Sequence, residues 1–311
     1  MEAGSMVERA DGGAKGAGAV RSRLHGMWAA VAPAWGEHAE YSDLRGAAAA
    51  ARMLELTGPQ PGDRVLELAC GPAGLGLAAA ARVAPGGEVV LSDVVEEMVS
   101  IAAARVAAQA LDHVSTRVLD LEQIAEPDGS YDVVLCREGL MFAADPAVAA
   151  REIHRVLRPG GRVAVAVWGP REHNPWLGVI FDTVSAQLGR PLPPPGMPGP
   201  FALQDAARLS GLLADAGLAD VAVEELSVPM RTAGFDEWWT RTSALAGPLT
   251  HILASLPPEA LAALRGALRD ATRPYETSDG GLSFPGVALV ASGWRNPSRD
   301  DGSRPGGRLP R

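Results

Sequence analysis

The stretch VLELACGPAGLGLAAA, Val65 to Ala80, decides the fold. An apolar, β-like run comes first, then a turn carrying Gly71, Gly74 and Gly76, then an alanine-rich segment that favours helix. A strand that turns on glycines into a helix leaves backbone N–H groups free at the helix start, a common seat for a nucleotide-like ligand. The rhythm then repeats. RVLELA (Arg64–Ala69), EVVLSD (Glu88–Asp93), STRVLDL (Ser115–Leu121), YDVVLC (Tyr131–Cys136) and RVAVAVW (Arg162–Trp168) read as strands with helical segments between them. The last of those helices, DPAVAAREIHRVL, has Asp145 as N-cap and Pro146 at the first helical position, and Pro159-Gly160-Gly161 stops it. Near-continuous Val, Leu and Ala strands alternating with helices predict an α/β fold with a doubly wound, Rossmann-like sheet covered on both faces.

Outside this core the pattern changes. Residues 1–20 and 296–311 are small, polar and glycine-rich, and are expected to be disordered tails around a single domain over 21–295. Beyond Trp168, the proline-rich GRPLPPPGMPGPF (Gly189–Phe201) precedes one helix and the strand DVAVEELSV (Asp220–Val228). A long helical region opening with DEWWTRTSAL then leads to the last strand, GVALVASGW (Gly286–Trp294). The final two strands are therefore no tight hairpin, and the intervening helices are expected to form a lid. Segments of about 21–45, 169–202 and 229–283 are assigned to that lid and an acceptor side.

Composition narrows the function. A hydrophobic fraction of 47% and a charged fraction of 21% suit an ordinary globular protein. The net charge of −9 argues against a nucleic-acid partner, which needs a basic face. All but one of the 28 basic residues are arginine, and the exception, Lys15, lies in the N-terminal tail, so no catalytic lysine is expected. Cys70 and Cys136 have no metal-ligand or disulfide spacing, which suits a reducing cytoplasm, and no run approaches the roughly 18 apolar residues of a membrane span. A cytoplasmic protein without metal is the expectation.

The turn does not have the G-x-G-x-x-G register of a dinucleotide site, and Glu67 ends the strand four residues before its first glycine. A carboxylate there is awkward beside a pyrophosphate but suits a cofactor with a sulfonium and an ammonium group. Asp93 closes the second strand, where an acid can accept from ribose hydroxyls. Asp120 follows the third strand's apolar run, within reach of an adenine amino group. Each has a plainer alternative: Asp93 as a helix N-cap, Glu67 as an acid binding backbone N–H groups, Asp120 as a turn residue.

With these residues in view, the chain resembles the class I S-adenosylmethionine-dependent methyltransferases, nearest the ubiquinone/menaquinone-biosynthesis (type 11-like) group. The resemblance rests on VLELACGPAGLG, LSDVVEEMV, RVLDLEQI and YDVVLCREGLMFAADPAVAAREIHRVLRPGGRVAVAVWGP, and extends from about Trp28 to Trp294. It implies seven strands with the last antiparallel, and S-adenosylmethionine as cofactor with S-adenosylhomocysteine as product. By position it puts the methionine end near Glu67, Ala69, Gly71 and Arg137, with Gly74 in the same turn. It puts the ribose on Asp93 and the adenine beside Val94, Met98, Asp120 and Leu121. Ala69 and Ala73 depart from it, standing where many members have glycine.

Transfer from a sulfonium is an in-line displacement that positioning and water exclusion can drive, and a base is needed only if the acceptor must lose a proton. The fourth strand ends in Arg137-Glu138-Gly139-Leu140 and lacks the Asn/Asp-Pro-Pro-aromatic signature of nucleic-acid amine methylation. Trp28, Trp35, Trp168 and Trp176, with Met141, are the candidate lining of an apolar acceptor pocket; Trp238 and Trp239 open the late helical region. Glu138, His173 and His38 are candidate bases, with Glu172 beside them. The expected activity is methylation of a small, largely apolar organic acceptor, quinone-like or a secondary metabolite. An NAD(P)-dependent oxidoreductase and a non-catalytic cofactor-binding partner protein remain the alternatives.

Overall fold

The computed structural model describes residues 3–194 and 196–297, with side chains from residue 18 onward, Pro248 excepted. Its centre is a seven-stranded sheet built from β1 (Arg64–Leu68), β2 (Glu88–Asp93), β3 (Val114–Val118), β4 (Tyr131–Arg137), β5 (Leu157–Trp168), β6 (Leu218–Ser227) and β9 (Val287–Arg295). The strand order is β3-β2-β1-β4-β5-β9-β6. β1 to β5 pair in parallel, whereas β9 runs antiparallel to both β5 and β6. Two short strands, β7 (Met230–Thr232) and β8 (Leu282–Phe284), form a separate antiparallel pair.

Alternation along each strand fills two cores. Leu66, Leu68, Val134, Cys136, Val163 and Val165 point to one face, and Val65, Val133, Leu135, Ala164 and Ala166 to the other. On the first face lie α5 (Pro146–Val156), α6 (Pro175–Leu188) and α7 (Ala206–Asp215), and on the second α2 (Ala39–Thr57) and α3 (Gly74–Val83). α4 (Glu96–Ala108) links β2 to β3. The α5 start is as its sequence predicts: the Asp145 carboxylate accepts from the N–H groups of Ala147 and Val148 at 3.0 and 3.1 Å.

Three features depart from the sequence reading. α1 (Ala3–Glu37) begins inside the stretch expected to be a disordered tail, because elongating a helix already anchored by its packed second half adds one hydrogen bond for each residue fixed. The tail expected over 296–311 lies outside the described residues from 298 on. β3 stops at Val118 and leaves Asp120 in the turn that follows, since only the first part of STRVLDL pairs with β2. The late helical region consists of α8 (Phe235–Leu245), α9 (Gly247–Ser255) and α10 (Pro258–Thr272), and β7 and β8 tie its two ends together. α1 packs on α4, α8 and α9 and so brings the N-terminal segment over the sheet edge.

Candidate active site

The carboxyl ends of β1, β2, β4 and β5, and the turn after β3, open into one cavity, and residues of α1, α2, α6 and α8 close over it. It encloses about 1570 Å³ of space out to its mouth. Its lining divides into a half around the glycine turn and an aromatic half.

One half is built by the glycine turn. Glu67 is 1% exposed; its Oε2 accepts from the Gly76 N–H at 2.9 Å, and its carbonyl accepts from the Ser92 hydroxyl at 2.8 Å. Burial lifts its pKa from an ordinary 4.5 to about 8, while Arg137 and the Gly76 N–H pull it down. Glu67 therefore accepts a backbone N–H and also lines the cavity. A Cβ at Gly76 would sit 2.5 Å from its carboxylate, so the first turn of α3 needs glycine at this position.

Asp93 combines two roles in the same way. Oδ1 accepts from Val95 at 3.1 Å in an Asx-type turn ahead of α4 rather than as its N-cap, and Oδ2 accepts from Gly71 at 3.0 Å, bracing the turn. The carboxylate stands on the cavity wall. Burial raises its pKa, and the N–H groups of Val95 and Gly71 oppose the rise. Val94, Met98, Asp120 and Leu121 continue this wall. Asp120 also acts as a turn residue, accepting from the Glu122 N–H at 2.8 Å. Glu122 itself is buried on the cavity, where its carboxylate accepts from Ala144 at 2.7 Å and pairs with Arg21.

Ala69 and Gly71 line the cavity with left-handed backbones, φ +51° and +50°. Ala73 is also left-handed, at +68°. The two alanines thus hold the conformation for which glycine is the default, at about 1–2 kcal/mol each. Ala69→Gly is expected to stabilise the protein by about 0.5–1 kcal/mol, a rise of roughly 2 °C in Tm by calorimetry, because the relieved strain exceeds the added chain entropy. An unchanged or lower Tm would count against strain at this position.

Gly74 does not line the cavity. It opens α3, and a Cβ there would fall 1.9 Å from the Asp43 carboxylate, so its role is close packing against α2. Arg137 lines the cavity and reaches through the notch left by Gly46, where a Cβ would lie 1.2 Å from Nη1.

The other half of the cavity is aromatic. Trp28, Trp35, Met141, Trp168 and Trp176 all line it. Trp28 meets Phe142 edge-on at 4.8 Å and packs with Val94 and Met98, so it also borders the first half. Trp168 and Trp176 meet edge-on at 5.0 Å. Trp35 donates to the Leu245 carbonyl at 3.2 Å, joining α1 to α8. Trp238 is buried below, donating to the Trp176 carbonyl at 2.8 Å.

Of the candidate bases, Glu138 alone reaches the cavity. It has a left-handed backbone, φ +60°, just past β4, and its carboxylate accepts from Arg45 at 2.7 Å. Such a conformation costs about 1–3 kcal/mol outside glycine and concentrates at functional positions. His38 caps α2 and does not line the cavity, and His173 and Glu172 are exposed on the turn before α6. A histidine beside a tryptophan in sequence carries no information about which way the turn faces. Burial keeps both thiols neutral, Cys136 at about 12 and Cys70 well above its ordinary value, so neither serves as a nucleophile.

Sequence reading missed Arg45, Tyr41 and Arg241. The Arg45 guanidinium lies 5.2, 5.6 and 5.9 Å from the ring centres of Trp168, Trp176 and Trp35. Arg241 stacks over Tyr41 at 4.4 Å and pairs with Glu237. The one available signal was the amphipathic run around YSDLRG, which carries no chemical motif.

Comparison with known proteins bears on the first half. Residues 66–165 match the family described as a methyltransferase domain. Over that segment the chain is similar to the class I S-adenosylmethionine-dependent methyltransferases. It is 44% identical over 117 residues to nocamycin O-methyltransferase of Saccharothrix syringae, covering 37% of this chain and 41% of that one. It is 36% identical over 133 residues to the ubiquinone/menaquinone biosynthesis C-methyltransferase UbiE of Ectopseudomonas mendocina, covering 42% and 52%. The chain thus spans about half the length of these curated relatives. The fold also matches the YcgJ protein of Bacillus subtilis, with a TM-score of 0.55 at 20% identity over 79% of this chain and 97% of that one.

Proposed function

We propose that the protein transfers a methyl group from S-adenosylmethionine to a small, largely apolar organic acceptor, quinone-like or a secondary metabolite. The observation that carries this reading is the pairing of two buried carboxylates, Glu67 and Asp93, with a tryptophan-lined chamber in one cavity. The donor set fits the cofactor: acids at consecutive strand ends suit cationic and hydroxyl groups and repel phosphates. Glu67, facing Arg137, would take the ammonium, Asp93 the ribose hydroxyls, and Val94, Met98 and Leu121 the flat base. When bound, the cofactor supplies an electrophilic methyl carbon on a sulfonium. The chain's contribution is then positional: α1 and α8 exclude water, and the tryptophans orient a flat acceptor against the cofactor half. Two relatives whose names specify oxygen and carbon methylation support the acceptor class while leaving the methylated atom open.

Calorimetric titration with S-adenosylmethionine, S-adenosylhomocysteine and NADH tests the reading. The first two are expected to bind in the micromolar range with NADH silent. Tight NADH binding without response to the sulfonium would replace it with an oxidoreductase. Turnover of labelled cofactor on an acceptor panel separates the enzyme from a non-catalytic binding protein.

A further inference from the structure

The acceptor chamber is lined largely by aromatic side chains, with Arg45 set among them. Arg45 enters it from α2 with its side chain only 10% exposed, ringed by Trp35, Trp168 and Trp176. Glu138 takes one N–H from Nη2, while the Arg45 Nε–H is buried without a hydrogen-bond partner. A planar cation with an unused donor, at the wall of the cavity's aromatic half, is a receptor for an oxyanion. Arg241 adds a second cation to the same chamber, beside Tyr41. Glu138 holds the guanidinium in place and is itself tied up by it.

Building on the function proposed above, we infer that the acceptor enters as an oxyanion on a flat apolar body, a carboxylate or an acidic phenol or enol, with Arg45 as its anchor. The reaction then balances without a base. A lone pair of the oxyanion forms the O–CH₃ bond, the C–S bond breaks, and its electron pair stays on sulfur as a neutral thioether. No proton moves. The product ester or ether has lost the charge that Arg45 held, so the anchor favours acceptor over product and aids release.

The test compares charged probes with neutral twins in the presence of saturating S-adenosylhomocysteine, whose own binding is measured first. 1-Naphthoic acid is set against 1-naphthamide, and a nitronaphthol against its methyl ether, with tryptophan fluorescence as readout. One acid or both are expected to bind roughly tenfold to a hundredfold more tightly than the neutral twin, as for a hydrogen bond to a charged group. The arm that responds tells carboxylate from phenolate. The double variant Arg45→Gln/Glu138→Gln removes both charges together, leaves no buried ion unpaired, and is expected to erase the preference while S-adenosylhomocysteine affinity is kept. Equal binding of the twins, no binding by either acid, or a preference surviving in the double variant each overturns the oxyanion anchor. Failure of S-adenosylhomocysteine to bind overturns instead the cofactor reading beneath it.

Discussion

Asp93→Ala is expected to weaken S-adenosylmethionine binding by roughly two to three orders of magnitude. Two hydrogen bonds from ribose hydroxyls to a buried carboxylate are each worth about 1.5–3 kcal/mol, and both are lost. The same substitution strips the N–H groups of Gly71 and Val95 of their acceptor, so the turn and the start of α4 loosen together. Loss of those turn hydrogen bonds costs about 1–3 kcal/mol of fold stability, less than the binding effect. Calorimetric titration of folded variant and wild type checks it, with Asp93→Asn as the milder control that keeps one acceptor oxygen. An affinity for Asp93→Ala within threefold of wild type would remove the ribose from this carboxylate.

The second large effect belongs to Glu67 and depends on pH. With its pKa near 8, this carboxyl is mostly protonated at pH 7 in the ligand-free protein. A bound cation favours the ionised form, so binding releases up to one proton and affinity climbs with pH until about 8. Titrations at pH 7 in two buffers of different ionisation enthalpy reveal the released proton as a difference in apparent heat. In Glu67→Gln that difference and the pH dependence both vanish, and at pH 8 affinity falls by roughly tenfold or more. Stability carries the matching sign. The folded state binds the proton more tightly than the unfolded chain, so Glu67's contribution is full below its ordinary 4.5 and is lost as pH rises to about 8. At pH 8 the ligand-free glutamine variant is accordingly expected to melt above wild type. A wild-type titration with no proton released would place the cation away from Glu67.

These two residues were legible because the information is local. Strand, acid and glycine turn follow one another in sequence, and in a parallel sheet every such unit delivers its strand end to the same edge. The antiparallel β9 came from the family resemblance, with the long spacing of the last two strands consistent with it. Arg45 was not legible, because its role depends on three tryptophans from α1, β5 and α6 converging on one point of α2. No spacing rule encodes such a convergence. The histidines failed for the converse reason: they carry the right chemistry at positions whose direction is set by the 3-10 turn and helix junction around them.

The insertion that roofs the acceptor half leaves the sheet after Ser227 and returns at Val287, and these two residues are direct cross-strand partners. In polymer terms the whole of 228–286 is a loop whose ends are already joined. The entropy of closing such a loop grows only logarithmically, about 0.6 kcal/mol for each doubling of its length. Closing the chain thus sets little limit on the insertion's length, and its contents are held instead by the core that Trp238, Leu249 and Leu264 share with the sheet. A chimaera that swaps residues 228–286 is therefore expected to rebuild the aromatic side of the cavity, where Arg241 and Leu245 stand, while Glu67 and Asp93 stay anchored in the parallel half of the sheet.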